Sequence, residues 1–213
     1  MTSGKFITFE GGEGAGKSTQ ARLLAERLRS SGHTVIETRE PGGTERGEKI
    51  RDFVLSGKAR KYGPMGEAVM FSAARDDHVK EVISPALKRG YWVLCDRFSD
   101  STAAYQGAAG GVKPALIRAL ERVAVGNIMP SLTFLLDLPV EAGLKRAAER
   151  NGGGEQEADR FEGMERRFHE ALRDCFLGIA AATPERSVVI DAQQAESAVA
   201  EAVWEIVVER LNP

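Results

Sequence analysis

The chain has 213 residues and a formal net charge of −2 at pH 7, with 28% charged and 42% hydrophobic residues. This length can bury the core of one large domain, with or without a mobile appendage. A pI near 6.0 argues against general nucleic-acid binding, although a local basic patch stays compatible with it. We expect no membrane association, because no apolar run is long enough to span a bilayer and no signal peptide precedes the first strand.

Cysteine and histidine are too scattered to indicate a disulfide framework or a metal centre. The two cysteines, Cys95 and Cys175, lack a suitably spaced partner, and the three histidines lie far apart in the sequence. This usage fits a reducing compartment. We therefore expect a cytoplasmic protein.

The first motif that carries chemistry is GGEGAGKS at residues 11–18, which fits the pattern G-x-x-x-x-G-K-[ST]. A short β-prone segment at residues 6–9 precedes it, and a helical pattern at residues 19–29 follows it. This order distinguishes a P-loop from a glycine-rich turn that ends in Lys-Ser by chance. Glycines let backbone N–H groups converge on a phosphate, and the helix N-terminus adds further donors. The motif predicts binding of a nucleoside triphosphate.

Within this loop, Lys17 is expected to reach the β- and γ-phosphates, and the hydroxyl of Ser18 is expected to ligate Mg²⁺. The predicted ATP-binding residues are Gly11, Gly12, Glu13, Gly14, Ala15, Gly16, Lys17, Ser18 and Thr19.

Strand and helix patterns alternate along the rest of the chain. Further strands are predicted at residues 34–38, 91–95, 132–137 and 187–191. Helices are predicted through residues 50–55, 64–85, 99–106, 114–125, 139–150, 159–181 and 196–211. Pro85 is predicted to mark an end or a kink, and Gly107 and Gly110-Gly111 are predicted stops. Mostly continuous apolar strands predict an α/β fold: a P-loop NTPase-type three-layer sandwich, with a five-stranded parallel sheet flanked by helices.

The whole chain, residues 1–213, is interpreted as a single P-loop domain with a mobile lid. Ligands of parallel sheets bind at the carboxyl ends of the strands. We therefore expect the loops after Phe9, Thr38, Cys95 and Leu136 to line the site. The lid is predicted at about residues 146–160, where glycine and arginine concentrate and the tract at 151–154 cannot hold a helix.

A P-loop alone does not separate a kinase from a GTPase, a motor ATPase or a nucleotide sensor. The sequence contains no Asn-Lys-x-Asp motif, which weakens a GTPase, and its size and regularity disfavour a motor. Several arginines at the expected site edge suit a second anionic substrate held against ATP. The pattern favours a kinase.

Four further segments resemble the thymidylate kinase family in their order and spacing. They are REPGGT (39–44), FSAAR (71–75), DRF (96–98) and STAAYQG (101–107). The resemblance runs from the first strand to the last helix. It implies transfer of the γ-phosphoryl group of ATP to dTMP, giving dTDP and ADP for dTTP biosynthesis, with Mg²⁺ as cofactor and a homodimeric assembly.

The resemblance also implies roles for charged residues near the P-loop. Arg97 would clamp the dTMP phosphate, because a guanidinium fork gives bidentate bonds to an oxyanion; a surface ion pair is the alternative. Arg51 would be a second phosphate-binding arginine, although alone it is one charge on a helix face. Asp96 would support Mg²⁺ together with Ser18, whereas Asp137, also at a strand end, is interpreted as a helix cap.

The thymine base would be recognised from two helices. Phe71 and Arg75 lie four residues apart on one helix face. The resemblance implies that the ring of Phe71 stacks on the base and that the guanidinium of Arg75 bonds a base carbonyl, whereas spacing alone would make Phe71 a core residue. Tyr105 would lie beside the sugar, where it disfavours a 2′-hydroxyl. The other predicted contacts to this nucleotide come from Ser101, Thr102 and Gln106.

Glu13 is an unexpected negative charge inside a phosphate loop. The resemblance implies that it faces the 3′-hydroxyl of the dTMP sugar, the alternative being a solvated glutamate. Because positions 12–15 hold no arginine, the bacterial type of the family implies a catalytic arginine on the lid, with Arg150 and Arg160 favoured over Arg146. The predicted catalytic residues are thus Lys17, Arg97, Arg150 and Arg160.

Two other functions stay open on these patterns. One is a kinase of another nucleoside monophosphate or of a deoxynucleoside. The other is a nucleotide-binding switch without turnover, against which the arginines at positions 51, 75 and 97 argue, because a sensor needs no second phosphate pocket.

Overall fold

A computed structural model describes residues 4–150, 161 and 164–213 of the chain. The strands are β1 (Phe6–Glu10), β2 (Val35–Arg39), β3 (Trp92–Asp96), β4 (Leu132–Asp137) and β5 (Ser187–Asp191). They form one five-stranded sheet in the order β2-β3-β1-β4-β5, and every pairing is parallel. The predicted α/β fold is confirmed, and each predicted strand boundary lies within one residue of the observed one.

Helices connect these strands. The α-helices are α1 (Lys17–Ser30), α2 (Glu45–Leu55), α3 (Gly63–His78), α4 (Ser84–Lys88), α5 (Ser99–Thr102), α6 (Pro114–Val125), α7 (Val140–Arg150), α8 (Arg166–Ala182) and α9 (Glu196–Leu211). A 3₁₀-helix covers Lys58–Tyr62, and π-helical segments cover Val79–Ile83 and Ala103–Ala109. No helix in the described part of the chain is both long and apolar enough to cross a bilayer.

The structure decides between the two outcomes predicted at Pro85 and corrects two other helix predictions. Pro85 does not end the predicted helix, since a π-helical turn precedes it and α4 continues beyond it; such turns accommodate the missing proline N–H. Gly107 does not stop its helix, which continues as a π-helix to Ala109 and ends before Gly110; one glycine inside a helix costs only about 1 kcal/mol. In the described part of the chain, the helix predicted from about Asp159 begins at Arg166, after an extended backbone at Glu165; residues 159, 160, 162 and 163 lie outside the described residues.

The core lies on both faces of the sheet. On one face, apolar residues of α1 and α9, such as Leu28 and Val203, pack against strand residues such as Ile7 and Phe134. The other face carries Phe6, Val93 and Cys95, covered by the helical segments from Val79 to Ala86 and by α6. Apolar side chains on both faces explain why the strands read as continuous hydrophobic runs.

The sheet topology brings three loops together at the carboxyl ends of the strands. Phe9 and Arg39 both pair with Asp96, so the carboxyl ends of β1, β2 and β3 lie side by side. The P-loop, the REPGGT loop and the DRF segment follow these three strands. Chain segments far apart in sequence therefore meet in one place.

Candidate active site

A cavity of about 1180 Å³ opens at this edge of the sheet. Its walls come from the P-loop, the REPGGT loop, α2, α3, the segment after β3 and α7. A cavity this large exceeds the usual 300–1,000 Å³ of a single small-molecule site. It has room for two ligands side by side.

Most of the predicted site residues line this cavity. They are Glu13, Gly14, Ala15, Gly16, Lys17, Ser18, Thr19, Arg51, Phe71, Arg75, Asp96, Arg97, Ser101, Thr102, Tyr105, Gln106 and Arg150. Gly11 and Gly12 instead line a smaller neighbouring pocket, with Asp137 and Leu138. Arg160 lies outside the described residues, as does the glycine-rich part of the predicted lid. Of the loops expected at the site, the one after Leu136 is the exception, because it lines the smaller pocket.

The P-loop is shaped for close approach of its backbone. Gly14 and Gly16 have φ of 67° and 89°, a conformation that favours glycine. A Cβ on Gly14 would lie 2.2 Å from the carbonyl oxygen of Gly143 in α7, so the loop rests directly on that helix. Lys17 is buried, and its Nζ donates to the carbonyl of Gly12 at 2.7 Å. Burial, followed by the charge of Arg97, lowers the pKa of Lys17 to about 8.

Two oxygen-bearing side chains meet at the start of α1. The hydroxyl of Ser18 donates to Oδ2 of Asp96. A hydroxyl and a carboxylate suit Mg²⁺, which takes few protein ligands and keeps several waters. Among the described residues, no group of three or more His, Cys, Asp or Glu side chains could hold a metal ion.

Arg97 faces the P-loop rather than solvent. Its Nη1 donates to the carbonyl of Gly11 at 2.9 Å, and its Nη2 donates to Oε1 of Glu13 at 2.9 Å. Its guanidinium carbon lies 5.0 Å from the centroid of the Tyr105 ring. The alternative of a surface ion pair is thereby excluded, since only 16% of the side chain is exposed.

Glu13 points across the cavity from the P-loop towards the opposite wall. Besides Arg97, it accepts a hydrogen bond from the hydroxyl of Tyr105. Burial would raise the pKa of Glu13, but the charges of Arg97 and Lys17 outweigh it and lower this pKa to about 2. Glu13 is therefore an ionised, largely buried residue, not the solvated loop glutamate of the alternative.

Arg75 is held by partners from three segments. Its Nε donates to Glu40 at 2.6 Å, and its Nη2 donates to Thr102 Oγ1 at 3.0 Å and to the carbonyl of Phe98 at 3.2 Å. Within the described chain, Nη1 has no hydrogen-bond partner, and Arg75 lines the cavity. The Nε and Nη2 atoms of the guanidinium are thus fixed, and Nη1 is available to a ligand.

Glu40, known from the sequence only as part of the REPGGT segment, has an anchoring role in the structure. It is buried, and its second oxygen lies 3.0 Å from Nδ1 of the fully buried His78. The sequence contains one indication that Arg75 and His78 share a partner, because His78 follows Arg75 by about one helical turn and so lies on the same helix face. Glu40 therefore anchors both side chains.

The remaining predicted residues have mixed surroundings. Phe71 lines the cavity and also packs with Val54 and Ala59 in the core, a position compatible with both interpretations of it. Arg51 donates to the carbonyl of Pro41 at 2.9 Å. Arg146, which was disfavoured, lines the cavity and donates to the carbonyl of Ala192 at 3.0 Å.

Two acidic residues at strand ends have surroundings that the sequence did not predict. Both oxygens of Asp137 accept bonds from Arg173, at 2.7 and 2.8 Å, so the structure gives it an ion pair in place of the predicted helix cap. Glu10 is 1% exposed, and burial, followed by the charge of Asp100, raises its pKa to about 8. An acidic residue that ends an apolar strand was the signal for a buried carboxyl.

Comparisons with known proteins agree with this geometry. A family profile described as "Thymidylate kinase" matches residues 9–203. A thymidylate kinase of Bradyrhizobium diazoefficiens is 54% identical over 99% of this chain and 91% of its own length. One of Caulobacter vibrioides is 53% identical over the full length of both chains. The crystal structure of thymidylate kinase from Ehrlichia chaffeensis superposes with a TM-score of 0.76 at 33% identity, covering 96% of this chain and 98% of that one.

Proposed function

The chain belongs to the thymidylate kinase family, and we propose here how its residues carry out the reaction of that family. The enzyme transfers the γ-phosphoryl group of ATP to dTMP, giving dTDP and ADP. The observation that supports the assignment of roles best is the contact of Arg97 with Glu13, which joins the P-loop to the second half of the cavity. We place ATP in the P-loop half and dTMP in the other.

The donor half binds the triphosphate through the loop backbone and Lys17. In the structure, the ammonium group of Lys17 bonds to Gly12 of its own loop, and an incoming β- or γ-phosphate would take over that bond. The added negative charge raises the pKa of the ammonium, so the bound complex holds it protonated. This cation then offsets charge on the transferring phosphoryl group.

The acceptor half binds dTMP through side chains. Arg97 and Arg51 bind its phosphate, and the guanidinium fork of Arg97 orients that phosphate towards the P-loop. Phe71 stacks on thymine, with Nη1 of Arg75 donating to a base carbonyl. Thr102 and Gln106 also contact the base, and Ser101 borders this side of the cavity.

The sugar lies between Glu13 and Tyr105. The carboxylate of Glu13, ionised at neutral pH, accepts a hydrogen bond from the 3′-hydroxyl. The Tyr105 ring occupies the space that a 2′-hydroxyl would need, which favours deoxyribose.

Mg²⁺ would be held by Ser18 and Asp96, whose oxygens suit a hard cation. It supplies charge neutralisation between the phosphates of ATP. No general base is needed, because the acceptor phosphate is already an anion near neutral pH; catalysis is mainly positioning and charge stabilisation. Arg150, at the end of α7, and Arg160 stabilise the transferring phosphoryl group, to which an arginine contributes ~10³–10⁵ in rate.

We also propose a cytoplasmic homodimer that associates through α3 and α6. These helices pack against each other, and both carry exposed apolar side chains. Met65 and Val69 on α3 are 38% and 46% exposed, and Leu116 and Val123 on α6 are 44% and 80% exposed. Sedimentation should give twice the chain mass of 23.1 kDa, and a monomer would contradict this proposal.

The reaction is tested with a panel of acceptors. With ATP and Mg²⁺, dTMP should give dTDP, whereas dCMP and thymidine should react far more slowly, with dUMP between them. Failure with dTMP would overturn the activity. ADP release that requires dTMP would in turn exclude a sensor without turnover.

A further inference from the structure

We infer that Glu10 is a positioning residue for Arg97, because its buried carboxyl group holds both the backbone after this arginine and, through Ser101, its guanidinium. The inference rests on the proposed role of Arg97 as the clamp on the acceptor phosphate and adds a residue to it. Glu10 does not line the cavity. It therefore acts through another residue and not by contact with substrate.

The backbone of Arg97 has a conformation that needs support. Its φ is 67°, in the left-handed region that residues with a bulky side chain rarely adopt. Such a residue persists only when its surroundings over-determine it. At Arg97 this conformation turns the chain sharply at the end of β3 and directs the side chain to the P-loop.

Two hydrogen bonds to β1 fix this turn on both sides. The N–H of Arg97 donates to the carbonyl of Phe9 at 2.9 Å. The N–H of the next residue, Phe98, donates to Oε1 of Glu10 at 2.8 Å. The first bond continues the pairing of β1 with β3, whereas the second depends on a side chain.

The second carboxyl oxygen of Glu10 supports the guanidinium. Ser101 Oγ donates to Oε2 of Glu10 at 2.6 Å, and the same Oγ accepts from Nη1 of Arg97 at 3.3 Å. One carboxyl group thereby holds the arginine at both ends. Ser101, predicted as a substrate contact, is also the bridge between them.

A structural role alone does not account for this residue type. Burying a carboxyl group costs free energy unless its oxygens find donors, and every other residue of β1 except Thr8 is apolar. An apolar residue at position 10 would fill the space without that cost. The two donors that Glu10 does find both belong to the segment that carries Arg97.

A double-mutant cycle tests the inference through the KM for dTMP. Glu10→Ala should raise this KM about tenfold, as expected when a buried donor loses its acceptor, with the Kd for ATP unchanged. In an Arg97→Ala background the same substitution should add no further increase, because the residue that Glu10 positions is gone. Glu10→Gln, which keeps an acceptor for the N–H of Phe98, should recover most of the wild-type KM.

Thr8→Val is the matched control. Thr8 lies two residues before Glu10 on the same face of β1, and its substitution removes a buried hydrogen bond of 2.8 Å to Thr133. It should lower the melting temperature without changing the KM for dTMP. If Thr8→Val and Glu10→Ala raise this KM equally, Glu10 is merely structural and the inference is wrong.

Other outcomes separate this inference from the function on which it rests. An equal increase from Glu10→Ala in both backgrounds, or none in either, overturns the role of Glu10. An Arg97→Ala variant with unchanged KM for dTMP overturns the clamp itself. If Glu10→Ala does not fold by circular dichroism, Glu10→Met, which keeps most of the buried volume but offers no carboxyl acceptor, replaces it in the cycle; an increase that vanishes in the Arg97→Ala background supports the inference, and one that persists contradicts it.

Discussion

The donor and acceptor halves of the cavity are built in different ways. The donor half is one loop, residues 11–18, and the contacts to phosphate that we propose for it come from consecutive backbone groups and one lysine. The acceptor half takes side chains from α2, α3, the segment after β3 and the π-helical segment Ala103–Ala109. A function that lies in the backbone can be carried by a short motif. A wall of side chains works only when distant segments converge.

The two halves also treat charge differently. Lys17 has a loop carbonyl as its partner, whereas each buried arginine of the acceptor half has a carboxylate: Glu13 for Arg97 and Glu40 for Arg75. A buried charge without a partner is costly, so removing one member of such a pair destabilises the fold by more than the pair's net contribution to stability. The acceptor half should therefore be the more sensitive one to single substitutions in stability.

The largest expected effect separates the two halves directly. Arg97→Ala should lower kcat/KM for dTMP about 10³-fold, because a charged donor to a phosphate is lost, and should leave the Kd for ATP nearly unchanged. Lys17→Ala should instead weaken ATP binding. Steady-state kinetics and calorimetric ATP titrations measure both, with Arg97→Lys as the variant that keeps charge but loses the fork. Equal loss of ATP affinity in both alanine variants, with dTMP binding intact, would refute the assignment of Arg97.

Magnesium dependence tests the proposed metal site between the two halves, where Ser18 meets Asp96. Asp96→Asn should raise the Mg²⁺ concentration for half-maximal rate about 10- to 100-fold, as is typical when a metal's carboxylate support is removed. Asp137→Asn is the matched control, because Asp137 also ends a strand but pairs with Arg173. A larger shift from Asp137→Asn would exchange the two roles.

Base recognition should show a smaller effect. Phe71→Leu keeps most of the buried volume but removes the ring face, and stacking of a base contributes ~1–3 kcal/mol. We expect the KM for dTMP to rise about tenfold, with a reduced preference for dTMP over dCMP. Phe71→Ala would add a packing loss and should also lower the unfolding free energy. An unchanged base preference in Phe71→Leu would leave Phe71 as a core residue only.

The smallest effect concerns stability and pH. The folded-state pKa of Glu10 is raised from 4.5 to about 8, so the native state binds its proton more tightly than the unfolded state does. This contribution is fully present below about pH 4.5 and is lost as pH rises through about 8. The urea concentration at the midpoint of unfolding should decrease as the pH rises from 6 to 9, and it should decrease less in Glu10→Gln. Equal slopes in both proteins would show that Glu10 does not titrate in this range.

The two halves differ in how much of them a sequence pattern alone predicts, and this difference has a physical basis. Every P-loop residue was identifiable from pattern, because glycine, lysine and serine rarely occur at these spacings, between a strand and a helix, unless they bind phosphate. For the acceptor half, spacing alone left Phe71 as a core residue and Arg51 as a surface charge. Only the resemblance to a family supplied their roles. The lid residue Arg160 stays a prediction, as does the choice between the lid arginines.

The sequence by itself determined the α/β fold, the strand boundaries and the phosphate loop, because apolar periodicity and glycine placement act locally. The tertiary structure decided which buried groups face each other. The pairs Glu40 with Arg75 and Glu10 with Phe98 span 35 and 88 residues, and no local pattern encodes a contact of that range. The raised pKa of Glu10, the left-handed turn at Arg97 and the bridging position of Ser101 all follow from such contacts.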